Sequence, residues 1–132
     1  MKNQRSEKGA AAVEFALVVP LLMALIFGIV LMGAAYNAQI TLTQIARAGA
    51  RSMVINSNQA TARTDAMVNV VGLSSFNPGT NIQFSSTTCP KDGVMTVTAT
   101  YQVPVPFSPP GSKFLGSTPI TLTGKASMLC GG

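Results

Sequence analysis

The sequence predicts an α+β chain: a long N-terminal helix that spans a membrane, then a small helix and an antiparallel three-stranded sheet. Three observations carry this. Phe15 to Tyr36, FALVVPLLMALIFGIVLMGAAY, is a run of 22 residues without a charge. Only 10% of the 132 residues are charged, against roughly 25% in an ordinary soluble domain. Beyond residue 80 the apolar residues recur at every second position, the period of a half-buried strand. The composition also excludes. With no His and two Cys, neither His-based acid–base catalysis nor a His-containing or Cys₄ metal site is available. The nine basic residues are scattered and 6% of residues are aromatic, unlike the dense basic stripe of a nucleic-acid binder.

The first element is the span. As a helix, Phe15–Tyr36 covers roughly 33 Å, the thickness of a bilayer core, and a helix apolar on every face is not that of a small soluble domain. Lys2, Arg5 and Lys8 against Glu7 precede it, and the next cation is Arg47. The positive-inside rule then keeps the N-terminus cytoplasmic and sends everything after Tyr36 outside. Pro20 lacks an N–H and crowds the preceding turn, which predicts a kink. Glu14 stands at the entrance of the apolar stretch. Either it sits at headgroup depth near the positive end of the helix dipole, or it is buried, at a cost on the order of 3 kcal/mol, and requires a positive partner.

The residues just before the span read Lys8-Gly9-Ala10-Ala11-Ala12-Val13-Glu14-Phe15: a short basic leader ending in Gly, a Glu five residues on, and the long apolar helix at once. This resembles the type IV prepilin signal, most closely the GxxxxEF form of pseudopilins of the tight-adherence (Tad) pilus system. With EFALVVPLLMALIFGI and the Gln/Thr/Ala/Arg-rich helix that follows, residues 5–55 resemble the TadE-like family. The resemblance implies a type IV pilin-like helix, cleavage between Gly9 and Ala10 by a prepilin peptidase, and a mature chain with a new amine at Ala10. It further implies that Glu14, beside Phe15, pairs with the Ala10 amine of a neighbouring subunit, which favours one axial register over others. A secretory signal peptide is the rival, but its apolar region is 7–15 residues long, shorter than this run. An unprocessed single-pass anchor is the other.

After the span, Leu42, Ile45, Ala46, Gly49 and Met53 fall at three- and four-residue steps, one face of a continuing helix. Its small residues Ala46, Gly49 and Ala50 pack either on a second helix or on the chain's own tail. Arg47 and Arg51 lie on another face, expected to be solvated or in contact with lipid headgroups. Asn56-Ser57-Asn58 interrupts the helix, and Asn56 with Gln59 three residues on predicts the cap of a second helix, running to about Val71 with Gly72 as its stop. Asn77-Pro78-Gly79 reads as a turn. Ile82 and Phe84 then alternate with polar neighbours. After the turn dipeptide Asp92-Gly93, Met95, Val97, Ala99, Tyr101 and Val103 form one face of a strand. Pro104, Pro106 and Ser108–Gly111 predict a loop, and Ile120, Leu122, Gly124, Ala126 and Met128 form one face of a last strand. The expected segments are a leader at 1–9, a transmembrane helix at 10–36, a helical extension at 37–72 and a small extracytoplasmic β-rich domain at 73–132.

So thin a core needs reinforcement. Cys89 precedes the second strand and Cys130 follows the third. Outside the cytoplasm they are expected to form a disulfide, closing a loop of about 42 residues and stabilising the fold by about 4 kcal/mol in the chain-entropy model. Asp65 and Asp92, the only acids beyond the span, stand apart and unaccompanied, so no catalytic constellation, cofactor, metal or small-molecule substrate is expected, and the chain is read as a non-enzyme. The reading is a minor pseudopilin of a Tad-type pilus, a single-pass protein of the bacterial inner membrane. Its partners would be a prepilin peptidase, other pilins and pseudopilins, and the inner-membrane assembly platform, with no nucleic acid. The alternative is a membrane-anchored extracytoplasmic binding or secretion subunit that never enters a filament.

Overall fold

The computed structural model describes residues 4–68, 70–103 and 119–131, with side chains from Gly9 onward. The order is α1 (Gln4–Asn56), α2 (Gln59–Met67), α3 (Pro78–Asn81), β1 (Ile82–Phe84), β2 (Val94–Val103) and β3 (Ile120–Leu129). This is the expected α+β chain with one long N-terminal helix and an antiparallel three-stranded sheet. By contacts it divides into two units, Met1–Ala34 and Ala35–Gly132.

Among the described residues the first unit is helix, with Pro20 inside α1. In the second, the remainder of α1 lies against the sheet. The sheet order is β1-β2-β3. β1 pairs Ile82 to Phe84 with Ala99 to Val97, and β2 and β3 run a ten-pair ladder from Val94↔Leu129 to Val103↔Ile120. The period-two reading of β2 holds: Met95, Val97, Ala99 and Tyr101 are buried and the intervening threonines are not. These side chains meet Leu42, Ile45, Ala46, Ala50 and Met53 of α1 in one core, with Ala62 and Ala66 of α2 and Ile82 of β1. The small-residue face of α1 therefore packs on the chain's own tail. A Cβ on Gly49 would stand 3.4 Å from Val97 Cγ1 and 3.7 Å from Ala66 Cβ. Arg47 and Arg51 are exposed, as expected.

Three local readings are corrected. The second helix is capped by Asn58, not Asn56. α1 runs through Asn56, Ser57 takes the left-handed region at φ 50°, and Asn58 Oδ1 accepts from the amides of Ala60 (2.8 Å) and Thr61 (3.3 Å). Gln59 does not complete a capping box, because its Nε2 donates to Ser86 O instead. α2 ends at Met67 rather than near Val71; Gly72 is left-handed at φ 82° but serves the loop after the helix. Asn77-Pro78-Gly79 opens the one-turn helix α3, with Asn77 Oδ1 accepting from Gly79 N at 2.8 Å. The expected loop at Pro104, Pro106 and Ser108–Gly111 lies outside the described residues.

α1 and β3 approach to backbone contact. Gly124 faces Leu42 and Thr43 so closely that a Cβ there would lie 2.5 Å from Leu42 O. One residue earlier, Gln39 Nε2 donates to Thr123 O at 2.9 Å. Glycine is required here by the space and not by its backbone angles.

Candidate functional site: the exposed N-terminal helix

Gly9, Ala10, Glu14, Phe15 and Pro20, the residues expected to carry processing, pairing and the kink, all lie on the exposed first part of α1. A helix rises about 1.5 Å per residue, so Ala10 and Glu14, four apart, share a face and stand about 6 Å apart along the axis. Phe15 is 71% exposed. From Val13 to Met32 fourteen large apolar side chains are exposed. At about 1.5–3 kcal/mol for each side chain left in water rather than buried, the uncovered cost is on the order of 20 kcal/mol or more. That exceeds the whole stability of a typical domain, so lipid or other subunits must cover this helix. It is long and apolar enough to cross a membrane, and no part of its most apolar window is buried. The core helix of a soluble protein would be mostly buried. Glu14 is the single acid on this surface between Gly9 and Asn56.

In the second unit Cys89 and Cys130 stand at disulfide distance, Cα–Cα 5.7 Å. The chain at Gly93 is held on both sides: its N–H donates to Pro90 O at 3.1 Å and its C=O accepts from Cys130 N at 2.9 Å. Asp92, at φ 56°, is a turn residue. Asp65 is not unaccompanied. Ser52 Oγ donates to its Oδ2, and Asn56 Nδ2 donates to Ser52 Oγ at 3.2 Å. Ser52 and Asn56 are one turn apart on α1, so this network ties α1 to α2. The i, i+4 spacing was visible in the sequence, but its meeting with Asp65 was not, because it depends on how α2 folds back. Arg63 lies over the Phe84 ring at 5.4 Å, a cation–π contact from α2 to the edge strand. A hollow of about 290 Å³ is lined by neutral groups including Ser74, Asn81, Thr100, Tyr101 and Thr121. The Tyr101 hydroxyl is spent on Ser74 O at 3.0 Å.

The arrangement presents two parts of different kinds: an apolar helix with one acid near its start, and a folded unit tied by hydrogen bonds and a cysteine pair. No curated protein matches the chain, and no solved structure does. Residues 9–51 match the family model described as TadE-like protein, which begins at the Gly of the leader motif and ends within the part of α1 that packs on the sheet. Over that segment, about a third of the chain, from Gly9 through the apolar helix, the chain is similar to the TadE-like family.

Proposed function

We infer that this chain is a minor, pseudopilin-like subunit of a Tad-type pilus. It acts in assembly, initiation or at the tip of the filament, in adhesion or secretion, and it is a structural subunit rather than an enzyme. The TadE-like segment associates it with the Tad pilus system. The observation that carries the finer reading is the spacing of Gly9, Glu14 and Phe15 at the start of an exposed apolar helix.

In this reading the chain is a single-pass protein of the bacterial inner membrane, with Lys2, Arg5 and Lys8 holding its N-terminus in the cytoplasm. A prepilin peptidase cuts after Gly9. The Ala10 amine so released is a cation, and Glu14 of a neighbouring subunit is its counter-charge in a water-poor environment. Because the two groups are about 6 Å apart along each helix, pairing across subunits sets an axial offset of about that size between neighbours. A register that leaves Glu14 unpaired carries the cost of an isolated buried carboxylate. The Phe15–Tyr36 helix then packs with other pilins, and the folded unit is left on the outside.

The size of the folded unit favours a minor component, since a helix alone would suffice for filament packing and this chain carries a 98-residue unit from Ala35 to Gly132. The test is intact mass of the full chain expressed with a prepilin peptidase. Loss of the first nine residues is expected, and Gly9→Arg abolishes the loss. An unprocessed wild-type chain under those conditions overturns the reading in favour of a membrane-anchored subunit that stays out of the filament.

A further inference from the structure

We propose that the end of the folded unit at which α1 enters it is a lipid-contacting surface, a face tipped by Val68 and Val71 that carries no charge among the described residues and rests on the membrane. This rests on α1 crossing the bilayer and not on entry into a filament.

Which residues share that end follows from the contacts. Gln39 is bonded to Thr123, and Leu42 and Thr43 lie against Gly124, so β3 runs alongside α1 in the same direction. Its first residue, Ile120, is therefore toward the start of the unit, and Val103 pairs with it. α2 folds back along α1: Ala66 is near Gly49, and a Cβ on Gly72 would lie 3.6 Å from Asn37 Nδ2. The loop after α2 thus returns to Asn37, one residue past Tyr36, the last residue of the 22-residue span. Within this loop Leu73 turns into the core, while Val68 and Val71 are 74% and 75% exposed. Tyr36, at the same level, is 71% exposed and Ile120 54%.

The charges are placed to match. Residues 35–46, 66–75, 98–103 and 119–124 contain no Asp, Glu, Lys or Arg. The charged pair Lys91-Asp92 sits by the cysteine pair, at the Val94↔Leu129 end of the ladder. Nine strand steps separate the two ends, about 30 Å. Among the described residues, one end of the unit thus carries no charge and bears exposed valines, and the other carries charge. An exposed apolar pair on a soluble protein would suggest a protein partner. Here the patch adjoins the place where the chain leaves the bilayer, and a Tyr at that level is the residue type that favours the membrane–water boundary. Continuity with the span selects lipid as the occupant.

The chain has no Trp, so single tryptophans report cleanly. Full-length Val71→Trp and Val68→Trp would be reconstituted in phosphatidylcholine vesicles, with Leu25→Trp as the span control and Lys91→Trp as the distal control. Emission would be compared in plain lipid and in lipid brominated on its acyl chains. Quenching of Leu25→Trp, Val71→Trp and Val68→Trp with no quenching of Lys91→Trp is expected. If Leu25→Trp is quenched but both loop variants behave like Lys91→Trp, the lipid face is overturned and the span stands. A blue shift of the loop variants that grows with protein density and is insensitive to bromine overturns it in favour of a second copy. No quenching of Leu25→Trp overturns the span and this proposal with it.

Discussion

Gly124→Ala tests how the folded unit is held together. The added methyl carbon would stand 2.5 Å from Leu42 O and 2.7 Å from Thr43 N, where ordinary contact begins at 3.4 Å. These are backbone atoms of α1 and cannot swing aside as a side chain tip can. Relief requires the helix and β3 to separate by about 1 Å, and a gap of that size forfeits a quarter to a half of the dispersion well at each contact it opens. It also stretches the Gln39–Thr123 hydrogen bond, worth about 1 kcal/mol, and loosens Leu42, Ile45 and Ala46, all at most 2% exposed. Overpacking of this kind costs about 1–3 kcal/mol, so the expected loss is about 3 kcal/mol, or about 10–20 °C in Tm for a unit of this size. Urea unfolding of the full chain in micelles, followed by the near-ultraviolet dichroism of buried Tyr101, reads it. Gly131→Ala, with nothing within 4 Å, leaves the midpoint unchanged. A Gly124→Ala midpoint within about 0.5 kcal/mol of wild type refutes the backbone contact as a determinant of the packing.

Glu14→Ala leaves membrane insertion intact or improved, since it removes a carboxylate costing on the order of 3 kcal/mol at bilayer depth, yet lowers the amount of the chain in sheared filaments; normal incorporation removes the pairing role. Cys130→Ser, or reduction of the wild type, lowers stability by about 4 kcal/mol in the chain-entropy model, read from the same urea transition with and without reductant. Asn58→Ala removes the acceptor for the Ala60 and Thr61 amides and costs about 1 kcal/mol, whereas Asn56→Ala touches only the Ser52 hydroxyl and costs less.

Much of the architecture was legible because it rests on periodicity. The alternation from Met95 to Tyr101 marks β2 whatever packs on it, and Leu42, Ile45, Ala46, Gly49 and Met53 mark the buried face of α1. What was illegible depended on choices between near-equivalent local signals. Asn56 and Asn58 are both competent caps; the chain uses Asn58 because Ser57 takes the left-handed turn, and Gln59, the apparent partner of Asn56, is drawn off to Ser86 by the fold. Gly72 reads as the stop of the second helix, but α2 ends at Met67, four residues before the expected Val71, and Gly72 takes its left-handed conformation in the loop beyond. Whether Gly49 faced another subunit or its own sheet could not be decided from spacing, because small residues suit both. The Ser52–Asp65 tie was hidden for a related reason: thirteen residues and a helix reversal separate the pair. The N-terminal pattern is linear: Gly9, Glu14 and Phe15 need only their order and the helix that follows, and the structure provides that helix.

In the proposed function the chain is trimmed at Gly9 and enters a filament through its apolar helix. The most direct measurement is the N-terminal residue of this protein in filaments sheared from cells that express it from its own locus. A chain beginning at Ala10 in that fraction is predicted. A chain retained in the membrane and still beginning at Met1 contradicts it.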